Sequence, residues 1–457
     1  MNEKKRQHGA PSGLESSRAW KPANCRPGWR RGASLAVLLC GIFYLLLASP
    51  LAAQSKNTCL DCHSKLTGEM RVTAESTQTD VHAQKGITCT NCHGGDASSE
   101  DKAKSMSLAA GFRGRLEKKQ IPELCASCHS DASYMRGFNP SLRTDQLSEY
   151  RSSVHGQKLA KGDTKVAVCT DCHGVHEIET GKDTRSRVYP LNVAKTCSTC
   201  HANADYMKEY GIPTTQFADY SASVHAQALM VRGDLSAPTC STCHGSHGAT
   251  PPSTDSVAHV CSTCHVIQGQ LFESGPHKKA FESLGLGGCV TCHTNHKIEH
   301  PTDAFIGTNT GAVCLNCHME GDTGYQPANE IHQKLTGLDA EIAKSDAILT
   351  RAEEAGMEVG EAKLQLDEAR DDLTKARVEI HTVDLARVDP DIQAGLQVTQ
   401  KTWSAGQAAL AEKSYRKKGL LLSVLAIFVV LIGLWLKIRD LESGEDENSR
   451  VVKEREK

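Results

Sequence analysis

The sequence predicts a mostly α-helical chain with extensive loops: an array of paired short repeats, then a helical hairpin, then one membrane-spanning helix. Three observations predict it. One short cysteine–histidine motif recurs nine times between residues 59 and 318. Leu, Ile and Ala recur at helical spacing between residues 335 and 380. One uncharged apolar run covers residues 419–436.

The motif is Cys-x-x-Cys-His. Its copies are Cys59, Cys62 and His63; Cys89, Cys92 and His93; Cys125, Cys128 and His129; Cys169, Cys172 and His173; Cys197, Cys200 and His201; Cys240, Cys243 and His244; Cys261, Cys264 and His265; Cys289, Cys292 and His293; and Cys314, Cys317 and His318. Together they use 18 of the 20 cysteines, leaving Cys25 and Cys40 near the N-terminus. Two thiols at this separation add to the two vinyl groups of one haem, and the adjoining histidine brings its ring onto the iron. Zinc ribbons also use Cys-x-x-Cys, but they need two pairs per metal and no adjoining histidine. Nine chance adjacencies have a probability on the order of 10⁻¹². Thioredoxin-like redox motifs fail on the same ground. The expectation is nine covalently attached haems c.

Composition agrees. Aromatic residues make up 5% of the chain and the formal net charge is −2. So few large apolar side chains cannot fill the core of a chain this long. A charge so close to zero leaves no basic footprint for nucleic acid. The motif region runs from about residue 54 to 325 and gives each haem roughly 30 residues. Stacked porphyrins must therefore be the core.

The motifs fall into dihaem modules. When Cys125–His176 is aligned with Cys197–His247, Tyr134-Met135 matches Tyr206-Met207 and Tyr150 matches Tyr220. In the same alignment His155 matches His225, and His176 matches His247. A shorter copy runs from Cys261 through His277 to His296. An abbreviated first copy runs from Cys59 through His82 to His93 and lacks the trailing histidine. Each module thus holds one motif, a spacer histidine, a second motif and a histidine three residues on. The repeating positions His82, His155, His225 and His277, with His176, His247 and His296, are the expected distal iron ligands. His259, His300, His332 and His381 compete for the last two irons. Met135 and Met207 are expected to pack on porphyrin faces. Two imidazoles leave an iron no open position and hold its potential low compared with Met/His ligation. Closely spaced irons of that kind form a wire.

Residues 1–53 read as a secretory signal with a long basic leader. Lys4, Lys5, Arg6, Arg30 and Arg31 precede the apolar run Ala33–Leu47, and cleavage is expected after Ala53. An uncleaved anchor helix is the rival reading. Residues 419–436 just reach spanning length. Charges flank both ends, Arg416, Lys417 and Lys418 before and Lys437 and Arg439 after, so charge alone does not orient the span. Thioether attachment of haem takes place outside the cytoplasmic membrane. That puts the haem region in the periplasm and residues 437–457 in the cytoplasm.

Between array and span, residues 326–415 read as a helical hairpin and a connecting helix. Leu335, Leu338, Ile342 and Leu349 mark the first helix. Ala362, Leu366, Ala369, Leu373, Ala376 and Ile380 form a coiled-coil-like seam on the second. Gly356 and Gly360 separate these two, and Asp389-Pro390 is expected to separate the second from the third.

The runs CTDCHGVH and CSTCHGSH, with the SVH spacers, make residues 56–325 resemble the low-potential multihaem cytochromes c. That superfamily includes the tetrahaem cytochromes, the NapC/NirT quinol dehydrogenases and the octahaem oxidoreductases. The resemblance implies electron transfer between the quinone pool, periplasmic carriers and terminal reductases. NapC/NirT proteins are anchored at the N-terminus, whereas the clear span here is C-terminal. Pentahaem nitrite reductases carry Cys-x-x-Cys-Lys at the active haem, and this chain has none.

Three functions are open at this point. The first is an inner-membrane-anchored electron relay, with redox proteins of the periplasm or membrane as partners and quinol as a candidate donor. The second is an oxidoreductase acting on a small nitrogen or sulfur compound at one five-coordinate haem. The third is a docking subunit that passes electrons to integral membrane partners.

Overall fold

The computed structural model describes residues 57–253 and 256–455. The proposed signal segment, with His8, Cys25 and Cys40, lies outside the described residues. Among the described residues the secondary structure is helical, with no strand.

Helix and motif coincide for a geometric reason. A helical turn brings residues three apart onto one side, which sets the two thiols together. The second motif of the first three modules forms a five-residue helix of its own: Cys89–His93, Cys169–His173 and Cys240–His244. The second variable residue of the motif caps that helix. Asn91 Oδ1 accepts the Thr88 amide at 2.7 Å, Asp171 Oδ2 the Val168 amide at 2.8 Å and Thr242 Oγ1 the Thr239 amide at 3.0 Å. The residue after the motif histidine then takes positive φ. Gly94, Gly174 and Gly245 adopt it at no steric cost, whereas the fourth module places Thr294 there, at φ 61°. First motifs end longer helices, such as Ile121–His129 and Pro190–His201, each with proline in its first turn.

Side chains alone build little core in this region. One small cluster joins Ala194, Tyr220 and Ala226. Met135 and Met207 are buried.

Beyond the array stand three long helices: α1 (Tyr325–Glu354), α2 (Gly360–Glu379) and α3 (Leu385–Arg455). Their apolar stripes meet in one core, in which Leu335, Leu338, Leu349, Leu366, Ala369 and Ala376 are fully buried. The seam on α2 faces this core. Gly395 and Gly406 let α3 come close: a Cβ on either would lie 2.8 Å from Leu338 or Ile348.

The break before α3 is not at Asp389-Pro390. It falls at the 3₁₀ turn Ile380–Thr382 and at Val383, which sits at φ 52°. Pro390 lies inside α3 as its sixth residue, past the first turn, so the helix forgoes one amide there, while the buried Val388 and Ile392 on either side hold it in the column. From there α3 continues without interruption through residues 419–436. That stretch makes α3 long and apolar enough to cross a membrane, and its side chains from Leu420 to Leu436 are exposed.

Candidate haem centres

Eight of the nine motif histidines face a second histidine. The pairs are His93 with His176, His129 with His82, His173 with His247, His201 with His155, His244 with His296, His265 with His225, His293 with His381, and His318 with His277. Their ring centroids lie between 5.9 and 6.2 Å apart. A metal–imidazole bond is about 2 Å, so two such bonds plus half of each ring add up to roughly 6 Å. The spacing fits one iron between each pair. Interplanar angles range from 9° to 90°, as expected when two rings share only the axis through the metal.

The pairing crosses module boundaries. Every spacer histidine faces the first motif of the following unit: His82 reaches His129, His155 reaches His201, His225 reaches His265 and His277 reaches His318. Every trailing histidine faces the second motif of the preceding module: His176 reaches His93, His247 reaches His173 and His296 reaches His244. A backbone hydrogen bond repeats at each crossing. The amide before a spacer histidine donates to the carbonyl two residues after the next trailing histidine: Val81 to Ile178 at 2.8 Å, Val154 to Ala249 at 3.1 Å and Val224 to Ile298 at 2.9 Å. At the fourth crossing Pro276 has no amide to give. There Gly275 packs against Thr382 instead, so closely that a Cβ on Gly275 would lie 2.7 Å from the Thr382 carbonyl oxygen.

Local bonds aim the rings. Nδ1 of His63 donates to the Met70 carbonyl at 2.9 Å, and Nδ1 of His381 to the Val378 carbonyl at 2.8 Å. Nδ1 of His318 lies 3.2 Å from the Asp322 carboxylate. A donor at Nδ1 leaves the Nε2 lone pair free for a metal. Burial holds His155, His173 and His293 below the usual imidazole range, and the facing histidine adds to the effect. Neutral imidazole is the form that ligates.

The thiols line up in the same order. Within a module, Cys125 lies within hydrogen-bonding reach of Cys169, Cys197 of Cys240 and Cys261 of Cys289. Across boundaries, Cys92 neighbours Cys128, Cys172 neighbours Cys200, Cys243 neighbours Cys264, and Cys292 neighbours Cys314 and Cys317. Successive motifs are therefore neighbours along the whole array.

Three family models match parts of the chain: cytochrome c3 over residues 81–202, the doubled CXXCH motif over 284–323, and cytochrome c554 and c-prime over 47–94. The chain is a multihaem c-type cytochrome. It is 25% identical to the C-type polyheme cytochrome OmcC of Geobacter sulfurreducens, an alignment covering 59% of this chain and 37% of that protein. The cytochrome thus spans little more than a third of the length of that relative. No solved structure matches it.

Of the four competing histidines, His381 alone faces a motif histidine. Among the described residues His259, His300 and His332 face none; His332 instead bonds the Asp303 carbonyl through Nδ1 at 2.8 Å. Nothing local in the sequence marks His381. It lies in the turn between α2 and α3, far from any motif, and only the repeating crossing pattern points to it. His63 has no ring opposite it among the described residues.

Proposed function

We propose that the cytochrome is a membrane-anchored electron-transfer protein carrying nine haems in one continuous row. The observation that carries this reading is the run of eight facing histidine pairs, joined in order by neighbouring cysteines. Haem supplies the one-electron chemistry. The protein's residues hold eight of the irons between two neutral imidazoles, exclude substrate from them and keep their potentials low. His82, His155, His176, His225, His247, His277, His296 and His381 are the distal ligands in this reading. The apolar stretch 419–436 anchors the array, and haem attachment outside the cytoplasmic membrane supports a periplasmic array with residues 437–457 in the cytoplasm. Residues 1–53 serve as the signal for that export.

The test is a haem count with a spin-state assignment. Mass and pyridine haemochrome analysis of the pure protein should give nine covalent haems, and EPR should show at least eight low-spin ferric centres. Fewer haems, or mostly high-spin iron, would sink the reading.

A second reading applies to the first haem alone. His63 faces no ring among the described residues, which favours an iron there with an exchangeable sixth position. Its test is titration of the ferric protein with nitrite and with imidazole: conversion of one centre supports a small-molecule site, and no change removes it.

A further inference from the structure

Helix α3 links the array to the apolar stretch in one piece. It opens at Leu385, four residues after His381, and Gly419 begins the uncharged run. At about 1.5 Å per residue, the part of α3 between Leu385 and Gly419 is about 50 Å long.

That length is braced from Val388 to Leu410, below which residues 411–418 run on as an exposed helix. Ser345 on α1 donates to the Thr399 carbonyl of α3 at 2.9 Å, within the buried interior. Lys334 pairs with Asp389 near the top of the column. Lower down, Met357 and Val359 from the α1–α2 turn share one apolar core with Ala409. A close-packed core from Val388 to Ala409 does not bend freely.

The named contacts between array and column gather at one end. The Asp303 carboxylate accepts from Nε and Nη2 of Arg377, at 2.8 and 2.7 Å, and its carbonyl accepts from His332. Thr308 donates to Asn329 at 3.1 Å. Gly275 packs on Thr382. These residues lie in the first turns of α1, the last of α2 and just before α3, all at the end farthest from Gly419.

Resting on the reading that residues 419–436 lie in a bilayer, we propose that the three-helix column is a spacer. It holds the array about 50 Å clear of the bilayer, and the array trades electrons with a redox protein standing in the same compartment, not with a quinol dissolved in the membrane. Tunnelling falls off exponentially with distance, and α3 between Leu385 and Gly419 carries no cysteine or histidine that could hold a haem. The partner fitted to this geometry is a one-electron carrier whose iron lies near its own surface. One electron passes between a ferrous iron on one protein and a ferric iron on the other, with no bond made and no proton moved.

The experiment places the full-length, haem-loaded protein in liposomes carrying a headgroup-attached fluorophore whose emission overlaps haem absorption. The spacer predicts that the protein floats with the lipid while headgroup emission stays close to that of protein-free liposomes. Failure to float overturns the membrane span and the spacer together. Flotation with strongly quenched emission, or haem reduction by a naphthoquinol confined to the bilayer with no protein partner added, overturns the spacer alone.

Discussion

His381 faces His293 with ring centroids 6.2 Å apart and planes inclined by 20°, although His381 belongs to no module. The column therefore does for the last module what a fifth module would have done. Replacing His381 tests this directly. His381→Ala should convert one low-spin ferric centre to high spin and raise one potential, read by EPR and redox titration. His332→Ala, which removes only the bond to Asp303, should leave the spin count unchanged.

Thr294 occupies a backbone position that the three matching modules give to glycine, with φ 61° and ψ −175°. A side chain there costs on the order of 1–3 kcal/mol. Thr294→Gly should therefore stabilise the protein by about 1 kcal/mol, seen as a higher thermal midpoint with an unchanged haem count. Equal or lower stability would contradict the strain.

Asp80 is buried and accepts three amides: His82 at 2.8 Å, Ala83 at 3.3 Å and Ile178, in the next module, at 3.0 Å. It caps the helix that carries His82 and pins the loop that follows His176. Asp80→Ala should cost about 1–3 kcal/mol and perturb the spectra of the second and third haems together. Denaturant unfolding and paramagnetic NMR would check both effects.

Tyr150 and Tyr220 hold equivalent places and donate to the Ala167 and Pro238 carbonyls, each at 2.9 Å. Burial pushes both phenols up to about 12. A folded-state value above the unfolded value of about 10 means the folded state binds the extra proton. Stability should be intact below pH ~10 and fall as pH rises toward ~12. The Tyr150→Phe, Tyr220→Phe double variant should be less stable at neutral pH yet lose that alkaline decline, measured by thermal unfolding across the pH range.

Much of this was legible in the sequence. Spacing alone named the motifs, and repetition named seven histidines that the structure sets opposite motif histidines. The helix pattern named the hairpin and the apolar stretch. What could not be read was which ring faces which motif histidine. Alignment compares a module with itself, whereas His155 and His247 each pair with a neighbour, a relation set by how modules dock. His381 could be named only as one of four candidates, because its ring is placed by a tertiary contact, Gly275 on Thr382, with no local signature. The boundary expected at Asp389-Pro390 moved because Val388 and Ile392, buried on either side of Pro390, hold α3 helical across it, while Val383 in the left-handed region made the actual break.

The crossed pairing has a consequence for how such an array can change length. Like overlapping roof tiles, each unit covers the seam of the next, so none is complete when cut out. Trimming at either end uncovers an iron that belongs to the units kept. A unit inserted in the middle finds both of its partners waiting. Growth by internal duplication is the route this architecture leaves open, and whatever closes the final seam, as the turn at His381 does here, must travel with the end of the chain.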